Sequence, residues 1–284
     1  MTNNALFRLK FRYMLLYLLV GFFLMECLIR LPLFHGASMA LKQDIGLLSV
    51  LYVIPVLLFY KYCRKHSINF QRTFFAKPSV ISTRMVVMPV VMLLVFQLGC
   101  LMALGVLILS FSSGELATSS IAKTKETADV LQVWIRCIGV AFFAPIAEEI
   151  LFRGYLLRKL HLKFNMKTSV IISSIIFGML HLQATFSAIL VGVVMCLLYI
   201  KSRSLVLPII VHMIQNILIV TKDVISISNP SESTSASTAP MSITIGIIAA
   251  VLFLGVGLLW IIPFLKRNWR DCMEKGLPKI IYHP

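Results

Sequence analysis

Residues 85–111 and 242–265 each run without a single charged side chain. A bilayer core about 30 Å thick is crossed by roughly 20 apolar residues in helical form. Backbone in hydrocarbon must satisfy its own hydrogen bonds, so such runs fold as helices or as strands of closed barrels, and uninterrupted apolar runs of this length read as helices. Composition extends the point to the whole chain. Of 284 residues, 59% are apolar and 13% charged, with a mean hydropathy of +0.91. A soluble domain carries nearer 25% charged residues and could not hide this much apolar surface in one aqueous core. The expectation is an all-α, polytopic helical bundle in a cell membrane, and a secreted, cytosolic or disordered chain is excluded.

Eight spans are expected, near 13–33, 44–60, 85–111, 130–157, 169–183, 185–200, 204–221 and 242–265, the fifth and sixth forming a tight hairpin around Gln183–Thr185. Twenty lysines and arginines fall in the N-terminus, in alternate loops (61–84, 158–167, 201–203) and in the tail, against four (Lys42, Lys123, Lys125, Lys222) on the other side. The positive-inside rule then places both termini in the cytoplasm, and the net charge of +16 is a product of topology with no nucleic acid implied. Ser38-Met39-Ala40 resembles a cleavage site, but the run before it is long and contains Glu26 and Arg30, so a retained first span is expected. Glu26 and Arg30, four apart, read as a local ion pair. The Ser-rich stretch Ser226–Pro240 reads as a linker. The six cysteines are scattered, and no disulfide framework is expected. Three stretches follow: 1–125 with three spans and a basic loop, 126–222 with four spans and the polar residues, and 223–284 with the Ser-rich loop, last span and basic tail.

Ionisable groups inside spans are costly and mark functional sites. The fourth span reads Ala144-Pro145-Ile146-Ala147-Glu148-Glu149-Ile150-Leu151-Phe152-Arg153-Gly154. Arg153 lies one helical turn beyond Glu149, so these two can pair. Glu148 points about 100° away and must protonate or find donors on other helices. Pro145 removes a backbone bond and is expected to kink the helix. The fifth span puts Phe177 and His181 on one face, and the seventh does the same with His212 and Asn216. Counted from the basic ends of the spans, these groups lie at depths of roughly 13–20 Å, near one level of the bilayer.

One carboxylate, two imidazoles and an amide suit amide-bond hydrolysis. Glu148 would take a proton from water held by His181, and His212 and Asn216 would donate to the developing oxyanion. Glu149 and Arg153 would fix the helix. No serine or cysteine stands beside a histidine as a nucleophile. Zinc on Glu148, His181 and His212 is the alternative, but the one-helix His-Glu-x-x-His spacing is absent, so no metal or other cofactor is expected.

Glu148-Glu149-x-x-x-Arg153, Phe177-x-x-x-His181 and His212-x-x-x-Asn216 together resemble the signature of the CPBP family, the CAAX proteases and bacteriocin-processing enzymes also called Abi, related to type II CAAX prenyl endopeptidases. The resemblance covers about 130–220. It implies an eight-span intramembrane glutamate protease with a cavity open to the cytoplasm. Glu148 and His181 would activate water, His212 and Asn216 would stabilise the oxyanion, and Glu149, Arg153 and Phe177 would be supporting motif residues. Substrates implied are membrane-associated or lipidated peptides, among them prenylated tails and pheromone or bacteriocin precursors. Some members look like non-catalytic scaffolds that bind other membrane proteins, which is the alternative reading. A proton-coupled transporter is a further rival, disfavoured because no internal repeat is visible.

Overall fold

The computed structural model describes residues 38–79, 81–111, 130–181, 184–228 and 243–283, with single positions between 20 and 30. Between residues 38 and 283 the described residues form eight helices and no strand: α1 (Met39–Lys65), α2 (Phe70–Phe74), α3 (Thr83–Phe111), α4 (Val130–His161), α5 (Met166–Met179), α6 (Thr185–Ser202), α7 (Val206–Ser228) and α8 (Ile243–Lys275). Five of them, α1, α3, α4, α6 and α8, are long and apolar enough to cross a membrane. The protein is a multi-pass, all-α membrane bundle. Most of the expected first span, the Glu26–Arg30 pair and most of the Ser-rich loop lie outside the described residues.

The second to eighth expected spans each correspond to a helix, but the ends differ for identifiable reasons. The α4 helix continues to His161 rather than stopping at 157, because Arg158 is not a loop residue. It is 4% exposed, and its guanidinium donates to the Tyr199 hydroxyl and, at 2.8 Å, to the Pro278 carbonyl. The α5 helix starts early, where the Asn165 side chain accepts from the Thr168 N–H at 2.9 Å, a good N-cap. It also stops early, at Met179. His181 therefore lies just past the helix end and not inside a span. At 14 residues α5 is about 21 Å long, too short to cross. The α7 helix runs on to Ser228, into residues expected to begin a loop. The α8 helix runs to Lys275, its polar end carrying the one-turn pairs Arg270–Glu274 and Asp271–Lys275.

The most enclosed helix is α6, apolar all round, with Val194 to Ile200 all buried. A helix without a polar face needs neighbours on every side. The α3 and α8 helices pack antiparallel and close. A Cβ on Gly257 would come within 2.9 Å of the Phe96 backbone, so the approach requires glycine there.

The basic segments gather on one face of the bundle. Leu205 N–H donates to the Phe74 carbonyl, Ser79 N–H to Ser202, Asn69 N–H to Ile281, and His283 N–H to Ser67. Arg203, in the left-handed conformation at φ 63°, donates to the Gly276 carbonyl. Loops that are distant in sequence thus close a single polar layer, the face that the positive-inside rule assigns to the cytoplasm.

Candidate active site

Two of the long helices are locally wound as π-helix, at Leu48–Val53 in α1 and at Gly139–Phe143 and Ile150–Leu156 in α4. Such widened turns are rare and frequent at functional sites. Two of the three have the same sequence logic. Ala144 N–H bonds the Gly139 carbonyl five residues back, and Ile54 N–H bonds Ser49 in the same way. The next residue is a proline in each case, Pro145 and Pro55, and a proline has no N–H to continue the series. In α4 the carbonyl left without its donor in that register is Val140. Asn216 of α7 supplies a replacement, its Nδ2 donating to Val140 O at 2.8 Å. A carbonyl freed in an apolar bundle needs such a donor. The Asn216 amide has a second N–H that this contact does not use.

Beyond Pro145 the helix carries Glu148 and Glu149. Glu149 is fully buried and Arg153 is 1% exposed, with Nη1 2.9 Å from Glu149 Oε1. That contact is an ion pair whose angle falls outside hydrogen-bond geometry. Arg153 Nη2 donates to the Gly192 carbonyl of α6 at 3.2 Å, and the guanidinium carbon lies 4.6 Å from the centre of the Phe177 ring, within cation–π range. The Phe177 ring is also 4.5 Å from that of His181 and 6.1 Å from that of His212. It is the apolar wall shared by the charged groups.

His212 bridges the two glutamates. Its Nδ1 is 3.1 Å from Glu149 Oε1 and its Nε2 is 3.7 Å from Glu148 Oε2. His181 approaches the same Glu148 oxygen from the other side, Nε2 to Oε2 3.8 Å. Its Nδ1 is 2.8 Å from the Phe177 carbonyl, one of the last carbonyls of α5, which lack helical partners. A carbonyl only accepts, so His181 Nδ1 carries a proton, and a neutral His181 presents a bare Nε2 to Glu148. Where Glu149 accepts from His212 Nδ1, the same holds for a neutral His212. Three acceptors then converge, and among the described residues nothing donates to Glu148 Oε2. The arrangement calls for a proton donor between them, either a water molecule or a protonated member of the set.

The structure thus brings Glu148, Glu149, Arg153, Phe177, His181 and His212 into one contiguous cluster. Asn216 sits one turn further along α7, turned to Val140. His181 is the most open member, its side chain 35% exposed, against 17% for Glu148 and 7% for His212. Among the described residues no group of three or more His, Cys, Asp or Glu side chains has metal-binding geometry. Sequence reasoning missed two participants and one buried neighbour in sequence. The carbonyls of Val140 and Gly192 carry no sequence signal of their own. Gln215, beside Asn216 in sequence, is 1% exposed with neither polar side-chain atom bonded among the described residues, and an amide in an apolar span is a signal that could single it out.

A carboxylate–imidazole cluster inside a helical bundle defines a class, the polytopic membrane proteins with a buried acid–base centre. Comparison with known proteins narrows it. The family model described as type II CAAX prenyl endopeptidase Rce1-like matches residues 130–218, which contain every residue of the cluster. A curated relative, "Putative membrane peptidase YdiL" of Bacillus subtilis (strain 168), is 30% identical over 115 residues, 39% of this chain and 47% of the relative. The match thus spans about half the length of that relative. No solved structure matches the chain. The segment that builds the site is thus similar to the type II CAAX prenyl endopeptidases.

Proposed function

We propose that the protein is an intramembrane endopeptidase that hydrolyses a peptide bond with a water activated by Glu148. The observation that carries this reading is the convergence of both imidazole Nε2 atoms on an otherwise unbonded Glu148 oxygen, at 3.7 and 3.8 Å. The family match and the name of the curated relative support a membrane protease. A water resting between Glu148 and His181 would donate one proton to each, and would turn a lone pair toward the substrate carbonyl. As its oxygen attacks the carbonyl carbon, the proton passes to Glu148, which later delivers it to the leaving amine.

The oxyanion needs donors. His212 can donate from Nε2 only as an imidazolium, because its other nitrogen is committed to Glu149. In that form the buried set Glu148, Glu149, Arg153 and His212 has no net charge, which lowers the cost of burying it. The second N–H of Asn216 is the other donor. No step is routed through a metal. The substrate class proposed is a membrane-associated or lipidated peptide, with prenylated tails and pheromone or bacteriocin precursors as the first to try.

The test is cleavage of a quenched fluorescent peptide library, prenylated members included, by purified protein in nanodiscs with and without a strong chelator. Chelator-resistant cleavage that Glu148→Ala abolishes is the expected result. Cleavage lost to chelator and restored by zinc would replace this mechanism with a metal-assisted one. A folded wild type that cleaves nothing would favour the scaffold reading.

A further inference from the structure

On the basic face, away from Glu148, the ends of α3, α6 and α8 enclose a cavity of about 180 Å³. Arg84 from the first turn of α3, Lys201 from the last turn of α6 and Arg267 from the polar end of α8 stand around it. None of the three is in an ion pair with a carboxylate among the described residues. The nearest acids on α8, Asp271 and Glu274, are held by Lys275 and Arg270 instead. The Lys201 ammonium is positioned by Asn268, which is 4% exposed. Asn268 Oδ1 accepts from Lys201 Nζ at 2.5 Å, and its Nδ2 donates to the Phe264 carbonyl at 2.7 Å. A buried amide spent on fixing a lysine, beside two arginines without a counter-charge, is a built cationic site.

Its surroundings are amphipathic along the membrane normal. Met88 and Phe264, which also line the cavity, lie one turn inward from Arg84 and Arg267. At 33 residues α8 is about 50 Å long, more than the hydrocarbon core, so its cationic end stands at headgroup level with its apolar part below. A soluble anion would use only the rim. A phospholipid would use both.

We propose that this cavity binds an anionic phospholipid, with Arg84, Lys201 and Arg267 around the phosphate and Met88 and Phe264 against the glycerol and first methylenes. Basic pockets between helices on the cytoplasmic side suit such headgroups, and each cation near the surface contributes about 1 kcal/mol.

The test is native mass spectrometry of the full-length protein in detergent, titrated with phosphatidylglycerol, phosphatidylcholine or inorganic phosphate. Phosphatidylglycerol is expected to bind at least tenfold more tightly than phosphatidylcholine. Each charge removed should weaken it roughly fivefold, giving about 25-fold for Arg84→Gln with Arg267→Gln. Lys61→Gln, an exposed cation on the same face, should change nothing. If the double variant does not fold, Lys201→Gln should show the single fivefold loss. Equal binding of the two lipids, equal competition by free phosphate, or an equal effect of Lys61→Gln would overturn the assignment.

Discussion

Two arginines five residues apart on α4 are both buried, and they are satisfied in opposite ways. Arg158 gives its hydrogen bonds to neutral oxygens, the Tyr199 hydroxyl and the Pro278 carbonyl, with the Phe74 and Tyr199 rings within 6 Å of its guanidinium carbon. Its network is closed. Arg153, one and a half turns deeper, sits against Glu149, and the cluster around it keeps open valences: among the described residues Glu148 Oε2, Glu149 Oε2 and Arg153 Nε have no hydrogen-bond partner. A buried polar group without a partner costs stability, and so does a half-satisfied network. The comparison teaches where this fold spends polarity on holding itself together and where it tolerates a cost for chemistry.

The sharpest break is Glu149→Ala. Removing one partner from a buried ion pair strands Arg153 and costs about 3–5 kcal/mol, so the variant should melt far below wild type in detergent. Melting at the wild-type temperature would mean that Glu149 does not hold Arg153. Asn216→Ala reaches into both kinds of region. Loss of the proposed oxyanion donor should lower turnover on the order of a hundredfold with peptide affinity unchanged. The orphaned Val140 carbonyl should cost about 1 kcal/mol of stability. A stability loss with full turnover per folded molecule would leave Asn216 a purely structural donor. Arg158→Met should cost about 2 kcal/mol while leaving the cleavage rate of the folded fraction intact. A changed rate in that fraction would join the two regions functionally. Tyr199→Phe is the smallest step, about 1 kcal/mol, read as a shift in melting temperature.

Local periodicity made part of the site legible. Glu149 and Arg153 pair because α4 brings residues four apart together, and Glu148 meets the two histidines because its own helix gives it no partner. The helix ends were less legible. Apolarity alone puts His181 within a span, since it does not show that α5 begins at Met166, after the Asn165 cap, and stops at Met179. Arg158 read as a loop cation because what covers it, the Pro278 carbonyl, lies 120 residues away in sequence. The π-helical turns have no signature in apolarity or charge, although Pro55 and Pro145 mark two of them. A proline announces a missing donor, and only the packed bundle determines which carbonyl is freed and what replaces its bond.

The most direct measurement is the cleavage rate of Glu148→Gln beside wild type, with the melting temperature of each recorded in the same detergent. Glutamine keeps the size of the side chain and cannot take a proton from water. Cleavage should fall by about 10²–10⁴-fold in a protein that still folds and melts cooperatively. Cleavage close to the wild-type rate in a folded Glu148→Gln protein would contradict the account.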